Sequence, residues 1–289
     1  MTREQVPVSV IVPTIGRVGL LEQCLGSLAE CRPRPAEILV VDQSRDGVAD
    51  AVAKFGAAGA RTVRCDGGGT SRARNRGLRE ARFDIVLFTD DDCTVAASWV
   101  GDGWSVMADF PSHVLGMVTG RVLPFGDPER IPSVKDDAVP RDYTGGTNIG
   151  ALFSSNMAVG RPAVLAAGGF DERFGAVAED LDLCYRWLRA GHSLRYEPSL
   201  VVRHHDWRTD AQLEQLYRGY WRGTGVFFAK HLHRPDAVVL RLFALSVFRI
   251  FRGTVRRIVK GKARARSTPR GLGREFLAGL VGSWRVFDD

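Results

Sequence analysis

Three consecutive carboxylates, Asp90, Asp91 and Asp92, follow the apolar run IVLFT with no turn residue between. Like charges placed together repel and push carboxyl pKa values up unless a cation lies among them. The run therefore marks either a solvated strand end or a divalent-metal site. If strand geometry continues through it, Asp90 and Asp92 project to one side and Asp91 points away, giving a D-x-D pair. A second apolar run, AEILVVD, ends in Asp42. Aspartates commonly end strands as turn residues. In open α/β sheets, however, ligands bind outside the carboxyl ends of the strands, so Asp42 and Asp90 could face one crevice. His204 and His205 follow another apolar run, SLVV. Carboxylates and an imidazole, completed by phosphate oxygens, suit Mg²⁺ or Mn²⁺. Glu179 and Asp180 open a helical pattern, where acids either complement the helix dipole or supply a general base for a hydroxyl proton.

The stretch DGGGTSRARNRG (66–77) sets three glycines before an arginine-rich helix start. Glycines let backbone N–H groups approach an anion, and a helix N-terminus favours negative charge. Arg72, Arg74 and Arg76 could add charge-assisted hydrogen bonds to phosphate. The plain alternative is a flexible loop followed by a solvated basic helix face. The stretch lacks the Gly-Lys-Ser/Thr ending of a P-loop.

These residues need a frame, and the first two hundred positions supply strand and helix patterns in alternation. Strands are expected at 7–13, 36–42, 61–65 and 84–89, and helices at 19–30, 49–59 and 71–82. Such alternation predicts a mainly parallel sheet covered on both faces. After Asp92 the regularity fades. A strand is expected within 114–124, then a long Pro/Gly/Asp-rich loop over 125–147 of the kind that closes over sites. A helix over 178–191 should bury Leu181, Cys184, Tyr185 and Leu188 and stop at a glycine. A strand follows at 193–205, and from Asp210 the pattern is helical. The division expected is 1–209 as the catalytic body and 210–289 as a basic helical extension.

The 289 residues, 45% hydrophobic and 25% charged, suffice for one large α/β domain with an appendage. Five scattered cysteines with no C-x-x-C pair fit reduced thiols in a cytoplasmic protein rather than a disulfide framework or zinc site. Neither a secretion signal nor a membrane-spanning run is expected. Between Ala237 and Arg274 lie eleven Lys or Arg and no Asp or Glu, so within a net charge of +7 the rest of the chain sums to −4. Such a tail either lies on an anionic membrane surface or packs as helices with its arginines in water.

Taken in order, VSVIVPTIGR, ILVVDQS, GGGTSRARNRGL, IVLFTDDDC, SSNMAV, GGFDERFGAVAEDLDLCYRWLRAG and YEPSLVVRHH resemble the successive motifs of family 2 inverting glycosyltransferases. The resemblance runs from about Val8 to His205. It implies the GT-A fold of nucleotide-diphospho-sugar transferases, an α/β fold with helices around a mainly parallel sheet, here with a C-terminal helical extension. It also implies a nucleotide-diphosphate sugar donor and a hydroxyl-bearing acceptor: a glycan, a lipid-linked molecule or a small molecule. By that resemblance Asp42 contacts the base, and Thr14 with Arg72 or Arg74 lines the nucleotide pocket. Asp90, with Asp91 beside it, holds the ribose side, and Asn156 meets the donor sugar. Asp92 holds a divalent metal, Mg²⁺ or Mn²⁺, with Asp90 and His204 on the metal side. Asp180 of the Glu179-Asp180 pair is the catalytic base. The sequence departs from the family pattern in DQS and SSNMA, which leaves nucleotide and sugar open. The setting implied is cytoplasmic, peripheral on the inner face of the membrane if the tail binds lipid. Two alternatives are a sugar-phosphate nucleotidyltransferase, whose glycine-rich loop would follow the first strand instead of the third, and a non-enzymatic polyanion-binding protein. No nucleic-acid partner is expected.

Overall fold

The computed structural model describes residues 4–110, 116–131, 133–145, 148–174, 177–260 and 271–287, with backbone alone at 253–260 and 272. It divides into two compact units, Met1–Asp206 and Trp207–Asp289.

The first unit is built on a nine-stranded mixed sheet. Strands β1 (Gln5–Thr14), β2 (Arg34–Asp42), β3 (Ala60–Arg64) and β4 (Ile85–Thr89) are mutually parallel in the order β3-β2-β1-β4. Their connections carry α1 (Val18–Ala29), α2 (Ala49–Ala53) and α3 (Thr70–Glu80). The largely apolar runs in β1, β2 and β4 follow from burial on both faces. Val8, Val10, Val12, Ile38, Val40 and Leu87 enter one core, with Leu21, Leu25 and Leu28 of α1. The intervening Ile11, Leu39, Val41, Val86 and Phe88 enter a second, with Ala73 and Leu78 of α3. Period-two alternation separates the two sets.

Beyond Asp92 the sheet is completed by elements with weak local signatures. A three-residue β5 (Cys93–Val95) leads into α4 (Trp99–Ala108), which seals the first core with Trp99, Val100 and Met107. Then come β6 (Met117–Phe125), β7 (Arg141–Tyr143), β8 (Asn156–Gly160), the short α5 (Arg161–Ala166), α6 (Glu179–Arg189) and β9 (Leu194–His205). β8 is inserted antiparallel between β4 and β6, whereas β6 and β9 are parallel and β5 and β7 pair antiparallel with β9.

Two expectations change here. The 125–147 stretch is not structureless. Lys135 bridges to Val122, and its ammonium lies 4.4 Å from the Tyr196 ring centre and 5.3 Å from that of Tyr143. Tyr196 Oη donates to the Asp137 carbonyl at 2.7 Å, and Arg130 pairs with Asp206 at 2.9 Å. On α6, Leu181 is only half-buried, and the core takes Leu183, Cys184, Trp187 and Leu188, while buried Asp182 pairs with Arg186 at 2.7 Å. All five cysteines are free and buried.

The second unit holds α7 (Asp210–His231), α8 (Ala237–Lys260) and α9 (Leu272–Ser283). A reciprocal Thr209–Gln212 capping box starts α7. Helices α7 and α9 meet at Gly225 and Gly279, where a Cβ would fall 2.1 Å from the Phe276 carbonyl oxygen and 2.0 Å from that of Arg222. Phe228, Phe243 and Phe276 interlock beside this crossing, with ring centres 5.2–6.1 Å apart. Among the described residues no helix is long and apolar enough to cross a membrane.

Candidate active site

Parallel register brings the carboxyl ends of the strands to one edge. Thr14 stands beside Asp42, and Asp42 beside Arg64. β4 stops at Thr89, and Asp90–Asp92 form a tight turn closed by the Cys93 amide donating to the Asp90 carbonyl at 3.1 Å. Strand alternation therefore does not govern the three acids. Each faces a different partner.

Asp91, the middle acid, is fully buried. It accepts a hydrogen bond from Thr14 Oγ1 at 2.6 Å and a close contact from the Arg17 guanidinium. Burial raises its pKa, opposed by the hydrogen bond and charge of Arg17. Arg17 also approaches Asp92 at 3.6 Å. Burial works against the charge on Arg17, but the three aspartates outweigh it and raise its pKa. Arg17 follows the first strand within VSVIVPTIGR, and no role for it is apparent from that motif. The signal available was charge balance, since a triple acid needs fixed cations as well as a mobile one.

Asp92 faces β9. Its Oδ2 lies 3.4 Å from His204 Nε2, and Cys93 is the third residue whose ligand atom falls within 4.8 Å of theirs. Strand alternation sends His205 to the other face, where its ring lies 4.5 Å from that of Phe125. Of the two imidazoles, that of His204 is the one beside the Asp92 carboxylate. Burial holds the Cys93 thiol well above its usual range, so it stays protonated and is a poor ligand for a hard cation. The remaining donors, a carboxylate oxygen and an imidazole nitrogen, fit Mn²⁺ or Mg²⁺. Among the described residues, five carboxylates (Asp90, Asp91, Asp92, Glu179, Asp180) share two guanidinium groups (Arg17, Arg74), a negative excess that a divalent cation would reduce.

Asp90 is not in the Asp92–His204 group. It turns to Arg74, whose Nη2 donates at 2.9 Å, while Nη1 of the same arginine donates to Glu179 Oε1. Arg74 was expected to line the nucleotide pocket. At 2% side-chain exposure it is instead an internal strut joining the triple-acid turn to the start of α6. The helix geometry explains this, for Arg74 lies on the same stripe as Ser71 and Leu78, which α3 buries. Phe170 packs on its guanidinium, 5.6 Å from the ring centre.

Arg72 does face outward. It pairs with Glu172 at 3.1 Å and lines a cavity of about 420 Å³ with Arg64, Arg76 and Arg79. Arg64 also reaches Asp42 Oδ2 at 3.3 Å, and the other oxygen of Asp42 accepts the Ser44 amide at 2.8 Å. The glycine-rich turn above α3 depends on its residue type, because Gly69 has φ +108° where it caps the helix.

Asn156 pairs with Thr89 in the sheet, directly before the acids. Its side chain is nevertheless wholly buried, accepting from Trp99 Nε1 at 2.8 Å and donating to the carbonyls of Arg121 at 2.8 Å and Leu200 at 2.9 Å. Both amide hydrogens are thus committed within the protein. The Asn156 side chain clasps α4, β6 and β9, while its backbone pairs with β4 beside the acids.

Glu179 and Asp180 form the first turn of α6. Glu179 is buried on Arg74, with Thr70 Oγ1 at 3.4 Å. Asp180 is half-buried, and its Oδ1 accepts the Leu181 amide at 2.8 Å. Burial first, and the charge of Glu179 second, push its pKa up to about 7, with Arg74 pulling back. A carboxylate so placed is tuned for proton transfer near neutrality. The entry to α6 is strained, since Ala178 has φ +68°, a conformation costing an L residue about 1–2 kcal/mol. Ala178→Gly is expected to raise the melting temperature by a few degrees, roughly 2–4 °C per kcal/mol for a unit of this size, as scanning calorimetry would show.

Residues 9–155 match the family model described as Glycosyl transferase family 2. Two curated relatives, each named pre-mycofactocin glycosyltransferase, come from Mycobacterium tuberculosis strains CDC 1551 and H37Rv. Each is 29% identical over 246 residues, covering 79% of this chain and 48% of the relative. The chain thus spans about half the length of the curated relatives it matches. Among solved structures, S. aureus TarS 1-349 in complex with UDP-GlcNAc superposes with a TM-score of 0.65 at 17% identity, over 98% of this chain and 90% of that one. Mannosyltransferase PcManGT from Pyrobaculum calidifontis, in complex with GDP-Man and Mn²⁺, gives 0.63 at 18%, over 100% and 90%. At these identities the likeness to solved structures speaks for the fold alone.

Proposed function

Because the chain belongs to glycosyl transferase family 2, we propose that it moves a sugar from a nucleoside-diphosphate donor to a hydroxyl acceptor with inversion at the anomeric carbon. The observation that carries this reading is the strut through Arg74, which ties the Asp90–Asp92 turn to the helix start bearing Glu179 and Asp180. A sugar-phosphate nucleotidyltransferase would carry its glycine-rich loop after the first strand, whereas Gly67–Gly69 follow the third, and a plain polyanion binder has no use for that acidic assembly.

In the proposed reaction the nucleotide lies along the carboxyl ends of β1, β2 and β4. Asp42, fixed by Ser44 and Arg64, faces the base, with Thr14 nearby and Arg72 at the outer wall. Asp90, aimed by Arg74, holds the ribose side. A divalent cation, Mg²⁺ or Mn²⁺, held by Asp92 and His204 would neutralise charge on the diphosphate leaving group. Arg17 keeps Asp91 and Asp92 in place through its own contacts with both. Asp180 takes the proton from the acceptor hydroxyl, whose oxygen attacks the anomeric carbon. The bond from that carbon to the donor phosphate oxygen breaks with its electron pair leaving on the diphosphate. One displacement inverts the configuration.

The proposed acceptor is a hydroxyl-bearing glycan, a lipid-linked molecule or a small molecule. The proposed setting is the cytoplasm, with the basic C-terminal unit at the inner face of the cell membrane.

The test incubates the protein and Mn²⁺ with UDP-, GDP- and dTDP-sugars, with water as the surrogate acceptor. Nucleoside diphosphate release is followed by chromatography and the freed sugar's anomer by NMR. One donor should be cleaved, giving first the anomer opposite to the donor's. A freed sugar retaining the donor's configuration would refute inversion, and no cleavage of any donor would remove the support for transfer.

A further inference from the structure

We propose that α8 docks on an anionic membrane surface through a second apolar face, one that its packing within the C-terminal unit leaves uncovered. This rests on the membrane setting proposed above and not on the transfer reaction. The helix uses one side for packing: Val239 is buried, and Phe243 interlocks with Phe228 and Phe276. A helix docked in this way ordinarily turns a polar face to water. Here the outward face is Leu240, Ala244, Val247, Phe248 and Phe251, spaced i, i+4, i+7, i+8 and i+11 and all exposed. Phe248 is 56% and Phe251 65% exposed. The stripe runs about 16 Å along the helix, too much contiguous apolar surface to be the scattered exposure that any soluble protein shows.

Its chemistry selects the occupant. At 100° per residue, Arg241 and Arg252 flank the stripe on one side, with Arg249 beyond them. The sequence continues with Arg256, Arg257 and Lys260 and contains no acid between Ala237 and Arg274. Apolar rings bordered by guanidinium groups match the boundary between acyl chains and anionic headgroups, where long basic side chains reach the phosphates while the rings enter the lipid. A second copy of the chain would oppose the same arginines across a two-fold contact. A nucleic acid would satisfy the arginines and leave the phenylalanines wet.

The experiment sediments the full chain with vesicles at physiological salt, using phosphatidylcholine alone or mixed equally with phosphatidylglycerol. Binding is expected to the mixed vesicles and to be much weaker on the neutral ones. Phe248→Ser with Phe251→Ser should lower partitioning to the mixed vesicles by about tenfold or more. Arg241→Gln, Arg249→Gln and Arg252→Gln together should abolish the preference for anionic lipid, at roughly fivefold per arginine. Both variants alter exposed positions, and their donor-nucleotide binding should match the parent's. Four outcomes would overturn the proposal: no binding to either vesicle, full binding by the phenylalanine variant, a dimer that this variant dissolves, or polynucleotide binding that needs only the arginines. Vesicle binding by a protein that binds no nucleotide would uphold this inference while removing the catalytic reading.

Discussion

Asp180→Asn is expected to lower turnover by about 10²–10⁴-fold while raising thermal stability at pH 8. The first effect is the loss of the proton acceptor, worth that range for a positioned general base. The second follows from linkage. In the folded protein the Asp180 carboxyl is held up to about 7 by burial and by Glu179, against an ordinary value of 3.8. Between those pH values the folded state binds more protons than the unfolded chain, so its stability falls as pH rises. The destabilisation is absent below about pH 4 and complete above about pH 7. An amide carries no charge to desolvate, so the gain in melting temperature should be clear at pH 8 and nearly absent at pH 4. In the parent enzyme the same ionisation governs activity. Below about pH 7, kcat/KM should fall tenfold per pH unit as the base is protonated, with a plateau above. A variant losing activity but showing no pH-dependent gain in stability would place the strained carboxyl elsewhere.

Arg74→Gln should be strongly destabilising to the catalytic unit. It leaves Asp90 and the buried Glu179 without their shared cation. Removing one partner of a buried ion pair costs about 3–5 kcal/mol, because the charge left behind is uncompensated. Calorimetry should show a drop in melting temperature of roughly 10 °C or more. The functional signature separates a strut from mere bulk. Arg74 is the largest of the influences that draw the Asp180 pKa down, ahead of backbone hydrogen bonds, so the rising limb of kcat/KM should move to higher pH in the variant. Arg74→Lys keeps the charge but loses the two-pronged reach and should restore the pH limb more fully than the turnover. If Arg74→Gln left the pH limb unmoved, its link to the base would be structural only.

Legibility in the sequence followed burial. The strands β1, β2 and β4 could be read because both faces are covered, which writes itself as Val/Ile/Leu-rich runs ending at or beside Pro or Asp. β5 and β7 have three residues each, and β8 owes its place to antiparallel pairing with β4 and β6 far along the chain. No local pattern announces such pairing. The acids, the histidine and the helix-start pair were legible as residue types at strand and helix ends. Their orientations were not, since Asp90–Asp92 leave strand geometry and bury the middle acid most deeply. Arg74 could have been suspected from its stripe on α3, though not its partners, Glu179 being more than a hundred residues away. Asn156 shows the reverse case. Its motif pointed to the donor sugar, while its side chain was needed to clasp β6 and β9 to Trp99 of α4.

The decisive experiment is a calorimetric titration of the purified protein with UDP, dTDP and GDP, with and without Mn²⁺, alongside Asp92→Asn. The geometry of Asp92 with His204 predicts that one of the three binds at least tenfold more tightly with Mn²⁺ and that the substitution removes this gain. Nucleotide binding indifferent to both Mn²⁺ and Asp92→Asn, or no binding at all, would contradict a nucleotide-sugar site at the triple acid.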